Sequence, residues 1–340
     1  MAPLSDYLSF YTSMAKAMFT IIFARLYKPQ RPPHRDLQGQ TAIVTGANSG
    51  IGLSIATALA KQGAVVYLAC RNLEKGDAAV ASIASQLGSE ASKRLFCWKL
   101  DVGDLESVRV FCERWKEEGK KIDMLCHNAG IAGPPEGSRT KDEKGRDVVL
   151  VTNFLGSFLM TNLLEGYLGE KARVVFTSST GHYAAAETLM RPNLEAVASK
   201  TTSDEGGVVQ KLLHKTKAYL GIGTTTLQSY ALSKAHQVLF AALLQRRFDS
   251  SPKNHRTAQA FSPGYVAVDT DEGAKTGAWL ASCGGEEGVE GGYWEWTSRR
   301  MSLVEFVERQ LGEKEWKVQC EKVWRGWEED SGCTWVTVKT

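Results

Sequence analysis

Short apolar strands that alternate with helical stretches limit the folds open to this chain more than any other feature of its sequence. The strands are rich in β-branched or apolar residues on both faces, which is typical of a sheet covered by helices on both sides. They are TAIV (41–44), VVYLA (65–69), LFCWKL (95–100), IDMLCH (122–127), RVVFT (173–177) and TAQAF (257–261). The pattern predicts an α/β fold with a doubly wound parallel sheet and right-handed crossovers.

Length and composition agree with a globular α/β protein. The 340 residues exceed the ~250–300 at which single cores stop growing, so we expect one large domain with extensions. Hydrophobic residues make up 43% and charged residues 23%, which excludes a disordered, collagen-like or polytopic membrane protein. The net charge of +3 does not predict a nucleic-acid partner, and seven scattered cysteines without a CxxC pair predict neither a disulfide framework nor a metal site.

The most apolar stretch of the chain lies near its start, at residues 7–27. Apolar residues recur there at helical spacing, but Lys16 and Arg25 interrupt the ~20 apolar residues that a membrane span needs. Prolines and basic residues follow, as expected for a helix lying in a membrane interface. Three alternatives stay open: contact with a membrane surface through residues 7–27, packing against the chain's own domain, or a true span. We expect a cytoplasmic protein, and the first alternative adds attachment to the endoplasmic reticulum membrane.

The segment directly after the first strand, TGANSGIG (45–52), combines a glycine-rich turn with the start of a helix. Residues without a Cβ let the backbone approach a pyrophosphate, whose charge then faces the free N–H groups and the positive dipole end of the helix. The sequence therefore predicts dinucleotide binding here, with a plain tight turn as the alternative. The predicted contact residues are Gly46, Asn48, Ser49, Gly50, Ile51 and Gly52.

The end of the second strand indicates which dinucleotide binds. NAD enzymes place an acidic residue ~20 residues after the turn, whereas this chain has Arg71 there and no acid before Glu74. Because a guanidinium suits a 2′-phosphate, we predict NADP(H) as the cofactor, with an ordinary solvated arginine as the alternative. After the third strand, we expect Asp101 either to contact the adenine or to close a turn.

A reactive group is predicted in the second half of the chain. Tyr230 and Lys234 lie four residues apart in a helical stretch, so they share one face, where a cation near a phenol favours the phenolate. Ser179 follows the fifth strand at the edge where open α/β sheets bind ligands, and we expect its hydroxyl to donate to a carbonyl. Asn153 is unfavourable inside a helix, and either a water bridge or a helix-to-sheet hydrogen bond accounts for it.

Together these motifs resemble the short-chain dehydrogenase/reductase superfamily. The shared motifs run in order over residues 38–270: TGANSGIG, HNAG (127–130), Asn153, Ser179, YxxxK (230–234) and SPG (262–264). The segments VYLACRNLEKG and VTNFLGSFLMTNLL look like the retinol-dehydrogenase-like branch, whose members are often NADP-dependent and membrane-associated. The resemblance implies a Rossmann fold with three parts: an N-terminal helix and linker (1–37), a catalytic domain (38–270) and a substrate-side extension (271–340).

The resemblance also implies a role for each site residue. Tyr230 is expected to act as the general acid/base, and Ser179 to polarise the reacting oxygen. Lys234 is expected to bind the nicotinamide ribose and lower the pKa of Tyr230, while Asn153 holds a water that connects Lys234 to solvent. Further cofactor contacts are implied for Asn128, Ala129, Gly130, Pro263, Gly264 and Val266.

Three departures from the family pattern leave the substrate open. His127 replaces the first Asn of the usual NNAG, which puts a sheet-stabilising hydrogen bond in doubt. Val268 stands where a Thr hydroxyl often meets the cofactor, and Thr270 is the substitute if the loop shifts. The segment 181–224 makes the interval between the catalytic serine and tyrosine longer than usual.

We therefore predict an NADP(H)-dependent oxidoreductase that interconverts a carbonyl and an alcohol on a small apolar substrate, retinoid- or steroid-like or a secondary metabolite. The alternative is a non-catalytic NADP-binding interaction protein that keeps the fold. A homo-oligomer stays open as well. Several late aromatic residues either wall an apolar pocket or pack in the core, namely Tyr293, Trp294 and Trp296 together with the region of Met190.

Overall fold

One eight-stranded sheet organises the residues that the computed structural model describes. These residues are 3–22, 33–185, 225–251, 255–264, 270–283, 291–295 and 298–335. The strands are β1 (Thr41–Thr45), β2 (Val65–Cys70), β3 (Leu95–Lys99), β4 (Ile122–His127), β5 (Leu168–Thr177), β6 (Thr257–Ser262), β7 (Gly292–Glu295) and β8 (Ser298–Arg300).

Helices flank the sheet in the same described ranges. They are α1 (Leu4–Ile22), α2 (Gly50–Lys61), α3 (Leu73–Leu87), α4 (Ser89–Ser92), α5 (Leu105–Glu118), α6 (Val148–Leu150), α7 (Gly156–Leu164), α8 (Thr225–Asp249), α9 (Thr270–Ser282), α10 (Leu303–Leu311) and α11 (Glu313–Ser331). A π-helical turn (Val151–Leu155) joins α6 to α7, and short 3₁₀ segments occupy Glu165–Tyr167 and Thr180–Ala185.

The strand order is β3-β2-β1-β4-β5-β6-β7-β8, and every neighbouring pair is parallel except β7 with β8. The chain winds outward from β1 in one direction and then from β4 in the other. The loops after β1 and β4 therefore part at the carboxyl edge of the sheet, where open α/β sheets bind their ligands. The predicted doubly wound parallel sheet is confirmed.

The two faces of the sheet carry separate apolar cores. On one face, α2, α3 and α9 bury a cluster that includes Ile55, Ile83 and Leu280. On the other face, α5, α7 and α8 bury a cluster that includes Phe111 and Phe158. Burial on both faces explains why the strands read as continuous apolar runs rather than as alternating patterns.

The sheet continues past residue 270, into the segment expected to form an extension. Strand β7 pairs in parallel with β6, with Trp294 opposite Phe261, and β8 closes the edge. The two strands have four and three residues, too short for a periodic sequence pattern. Tyr293 and Trp294 are buried in the core, which is the second of the two predicted alternatives, while Trp296 and the Met190 region lie outside the described residues.

Helix α1 packs on α10 and on the 3₁₀ segment after Ser179. Phe10 is 4% exposed, stacks on Phe306 with ring centroids 4.2 Å apart and meets Tyr183 at 5.6 Å. Asp6 pairs with Arg309 at 2.6 Å. Of the three alternatives for the N-terminal segment, packing on the chain's own domain holds for this face of the described helix.

The opposite face of α1 is apolar and exposed. Leu4 is 84%, Leu8 69% and Phe19 53% exposed. Elsewhere among the described residues, the helical segment Val148–Tyr167 is long and apolar enough to cross a membrane, but 67% of its apolar window is buried inside the domain. Such burial is typical of a core helix.

Candidate active site

A cleft of about 510 Å³ opens at the carboxyl edge of the sheet, between the turn after β1 and helix α8. Most of the predicted site residues line it: Gly46, Asn48, Ser49, Ile51, Arg71, Asp101, Asn128, Ala129, Gly130, Tyr230, Lys234 and Pro263. Gly50, Gly52, Asn153, Ser179 and Gly264 lie beside or beneath this lining. Val266 lies outside the described residues, as does Val268.

The turn after β1 has the conformation that its glycines predict. Gly46 and Gly50 have φ values of +65° and +56°, in the left-handed region that costs other residues about 1–2 kcal/mol. A Cβ on Gly52 would collide with the Gly46 carbonyl and the Asn128 amide. Ser49 precedes α2 without a side-chain cap bond, so the first N–H groups of α2 remain available to an anion in the cleft.

Thr45 fastens this turn to the loop after β4. Its Oγ1 accepts hydrogen bonds from the backbone N–H groups of Asn128 at 2.9 Å and Ala129 at 3.0 Å, and the Asn128 side chain donates to the Thr45 carbonyl at 3.1 Å. These bonds tie β1 to the loop after β4 and fix one wall of the cleft.

His127 does not make the sheet-stabilising hydrogen bond expected of an Asn at this position in the family. Its buried ring stacks on Phe176 with centroids 4.9 Å apart, and its Nε2 lies 2.9 Å from Thr161 Oγ1. Burial lowers the pKa of His127 to about 3, so the ring stays neutral. His127 is therefore a packed core residue, and Asn128 makes the bonds across the strands.

Basic and acidic residues lie at the other end of the cleft. Arg71 lines it just after β2, and Lys99 donates from Nζ to the Arg71 carbonyl at 2.6 Å, so two cations lie near each other. Asp101 lines the cleft too, while its Oδ1 accepts from the Gly103 N–H at 3.0 Å. The turn bond predicted for Asp101 is present, and its contact with the adenine stays a prediction.

Tyr230 and Ser179 meet at the inner end. Ser179 Oγ and the Tyr230 ring both lie within 4 Å of the point that a Cβ on Gly181 would occupy. Burial raises the pKa of Tyr230, although the Ser179 side chain acts in the opposite direction. Ser179 Oγ also accepts from the Gly181 N–H at 3.0 Å, and its carbonyl lies 2.7 Å from His182 Nδ1. The 3₁₀ segment thus holds the serine in place.

Lys234 is buried beside the phenol. Its Nζ lies 5.5 Å from the Tyr230 ring centroid and donates to the Thr177 carbonyl at 2.8 Å. Burial lowers the pKa of Lys234 to about 7. Since burial is the largest influence on both groups, the pKa of Tyr230 is raised here, where the resemblance implied a lowering by Lys234.

Asn153 sits in the π-helical turn with its side chain fully engaged by protein groups. Its amide accepts from the Ile131 N–H at 2.7 Å and donates to the Ile131 carbonyl at 2.9 Å and to Ser233 Oγ at 2.9 Å. These bonds link the π-helical turn to the loop after β4 and to α8, so the helix-to-sheet bond expected for Asn153 is not made, and the water bridge stays a prediction. The Asn153 carbonyl accepts from Gln237 Nε2 at 2.7 Å, a contact that sequence reasoning missed.

Other lining residues were also missed. They are Leu100, Val102, Ile131, Ala132, Thr152, Thr177 and Ser178. Most of them end a strand or follow one, so the rule that ligands bind at carboxyl strand ends would have included them. Gln237 carried a weaker signal, a polar residue three positions after Lys234 in an apolar helical stretch.

The turn after β6 closes the site. Ser262 Oγ accepts from the N–H groups of Thr180 and Gly264, both at 3.3 Å, and so connects this turn to the segment after Ser179. Pro263 lines the cleft and Gly264 has a φ of +73°. The resemblance implied that Pro263 and Gly264 face the nicotinamide, and Pro263 does line the cleft; the contact itself stays a prediction.

Known sequences that match this chain include the short chain dehydrogenase family and several retinol dehydrogenases. The sequence model of the short chain dehydrogenase family matches residues 40–190. Retinol dehydrogenase 12 of Bos taurus is 30% identical over 315 residues, which cover 86% of this chain and 89% of that protein. Retinol dehydrogenase 11 of Mus musculus is 43% identical over 149 residues, 43% of this chain and 45% of that protein, so this match spans less than half of the relative.

Solved structures share the architecture. An uncharacterized protein from Mycobacterium Paratuberculosis has a TM-score of 0.60 at 27% identity, over 89% of this chain and 97% of that chain. A short chain dehydrogenase from Burkholderia cenocepacia J2315, solved in complex with NADP, has a TM-score of 0.53 at 22% identity, over 77% and 98%. The second likeness concerns the fold alone.

Proposed function

Because the chain belongs to the short-chain dehydrogenase/reductase superfamily, in its retinol-dehydrogenase-like branch, we propose that it is an NADP(H)-dependent enzyme that interconverts a carbonyl and an alcohol on an apolar substrate. Oxidoreduction at CH–OH groups is the family's chemistry. The observation that carries the proposal is the position of Tyr230 next to Ser179 and Lys234, in a cleft that begins at the glycine-rich turn.

The cleft fits a dinucleotide phosphate. The free N–H groups at the start of α2 suit the pyrophosphate, and the Thr45-anchored loop with Asn128 suits the adenosine side. Arg71, with Lys99 next to it, supplies the positive charge that a 2′-phosphate needs. When bound, the cofactor supplies or accepts the hydride.

The proton chemistry belongs to Tyr230. The phenol is positioned to exchange a proton with the oxygen of the substrate. Ser179 Oγ already accepts the Gly181 N–H, which leaves its own O–H to hold that oxygen. By microscopic reversibility, the same two hydroxyls serve carbonyl reduction and alcohol oxidation.

The substrate class rests on the relatives. Both retinol dehydrogenases are named for an apolar alcohol, and apolar side chains such as Val102 and Ile131 line parts of the cleft. A retinoid, a steroid or a secondary metabolite with a carbonyl group is therefore the proposed substrate.

We place the protein on the cytosolic surface of a membrane, the endoplasmic reticulum being the proposed site. One face of α1 is used by the packing of Phe10 on Phe306, while Leu4, Leu8 and Phe19 are exposed on the other. Such an apolar face suits contact with an interface rather than a span. Flotation with phospholipid vesicles tests this: the triple variant Leu4→Ser/Leu8→Ser/Phe19→Ser should stay in the soluble fraction, and equal flotation of both proteins would contradict it.

A carbonyl panel tests the proposed reaction. NADPH oxidation is followed with retinal, a steroid ketone and a long-chain aldehyde, with Tyr230→Phe as the inactive control. We expect turnover of at least one member by the wild type and none above background by the variant. Cofactor binding without turnover of any member would favour the non-catalytic alternative.

A further inference from the structure

A chain of buried side chains leads away from the reactive group, on the side that faces the protein interior. Lys234 Nζ donates to Gln237 Oε1 at 3.2 Å, and Gln237 Nε2 donates to the Asn153 carbonyl at 2.7 Å. All three residues are buried, and Gln237 and Asn153 have no exposed surface. The amide therefore joins the catalytic lysine directly to the π-helical turn.

The orientation of this amide is set by its neighbours. Lys234 can only donate and the Asn153 carbonyl can only accept, so Oε1 must face the amine and Nε2 the carbonyl. The Asn153 side chain is meanwhile occupied by Ile131 and Ser233. The glutamine thus joins Lys234 to the backbone carbonyl of Asn153.

We propose that Gln237 is a positioning residue for the reaction, which holds Lys234 Nζ at the cleft through its hydrogen-bonded bridge to Asn153. This inference rests on the proposed function. A lysine amine has three rotatable donors on a flexible stem, and the Thr177 carbonyl and Gln237 Oε1 occupy two of them. The third stays available to a ligand in the cleft.

The bridge also bears on the charge of Lys234. The amine is buried, and the Thr177 carbonyl and Gln237 Oε1 that accept from it are neutral oxygens, so loss of one acceptor removes a large part of the stabilisation of the ammonium. The groups that face it are the Tyr230 ring on its own helix, the Thr177 carbonyl of β5, Gly130 in the loop after β4, and Gln237. Of these only Tyr230 titrates, while Asp101 and Arg71 line the same cleft.

The test uses the titration of Lys234 in the full-length protein. Lysine labelled with ¹³C at Cε gives one resonance for this residue, assigned by its loss in Lys234→Arg. Gln237→Met removes the acceptor at similar volume, and we expect the titration midpoint to fall by about one pH unit. Gln237→Glu adds a carboxylate of nearly the same shape, and the midpoint should rise.

Turnover provides the second readout. In the pH profile of kcat/KM for the best panel substrate, the alkaline limb should move to lower pH in Gln237→Met and to higher pH in Gln237→Glu. Gln245→Met is the matched control, since Gln245 lies on the same helix and accepts from the Ala258 N–H at 2.8 Å, away from the cleft. It should leave both measurements at the wild-type values.

The outcomes separate this inference from the proposed function. Midpoints that stay at the wild-type value in both Gln237 variants, or that move equally in Gln245→Met, overturn the inference even if the enzyme turns over its substrates. Midpoints that move as expected in a protein that turns over no panel member support the bridge and overturn the proposed function. Because Gln237→Glu is nearly isosteric, the test stands even if Gln237→Met fails to fold.

Discussion

Two regions of the molecule are built in different ways. The cofactor side of the cleft, defined here as residues 41–130, consists of consecutive βα units, and the backbone conformations of Gly46 and Gly50 set its glycine-rich turn. The α1 docking region, defined as α1 with the 3₁₀ segment Thr180–Ala185 and α10, joins parts of the chain up to 303 residues apart. Local geometry decides much of the first region, whereas tertiary packing decides the second.

The largest effect is expected for Tyr230→Phe. Loss of the phenolic proton should lower kcat by about 10²–10⁴-fold, because no other described tyrosine lines the cleft to act as the general acid. NADPH affinity should change by less than about twofold, since the cofactor side is untouched. The matched control is Tyr67→Phe, on β2. It removes a hydroxyl that accepts from Lys120 Nζ at 2.9 Å, and it should keep full activity. More than a few per cent of residual turnover in Tyr230→Phe would make the assigned acid wrong.

Phe10→Ala tests how far the stability of the α1 docking region depends on the N-terminal helix. Removing this ring from between Phe306 and Tyr183 should lower the free energy of unfolding by about 3 kcal/mol, measured in urea. Leu8→Ala, on the exposed face of the same helix, should cost less than about 0.5 kcal/mol. Equal losses would mean that α1 does not dock as described.

Arg71→Asp probes the cofactor side by charge alone. The substitution removes a partner of the 2′-phosphate and adds an acid for the ribose, so the preference for NADPH over NADH should shrink by about 1.5–3 kcal/mol, roughly ten- to a hundredfold. Titration of both cofactors by fluorescence measures it. Lys93→Asp, at an exposed site directly after α4 and with the same charge change, serves as the control. Equal wild-type affinities for the two cofactors would contradict the assignment.

The smallest effect is expected for Gly46→Ala, which distinguishes backbone strain from steric contact in the glycine-rich turn. Gly46 and Gly119 have nearly the same φ, +65° and +64°, but a Cβ on Gly46 would lie 3.0 Å from Ala129 Cα, whereas Gly119 has nothing within 4 Å. Both Ala variants should lose about 1–2 kcal/mol of stability from backbone strain. Only Gly46→Ala should lose about 1 kcal/mol more and bind NADPH more weakly, as thermal melts with and without the cofactor would show.

The sequence predicted the cofactor side better than the α1 docking region, for a physical reason. Strand periodicity, the glycines at 46 and 50 and the spacing of Tyr230 and Lys234 are local signals, and the structure has these strands and these conformations. The packing of Phe10 on Phe306 depends on residues at opposite ends of the chain, which no window of sequence contains. Gln237 reads locally as one polar residue in a helix, and only the fold brings it to Asn153.

The docking of α1 on α10 also bears on the order of folding during synthesis. The helix emerges from the ribosome well before α10, because Phe306 follows 296 residues after Phe10. At ~5–20 residues per second that interval lasts roughly 15 to 60 s, during which the earlier strands can already pair. The stacking of Phe10 on Phe306 is therefore a late event, and the earlier strands can assemble before α1 docks on α10.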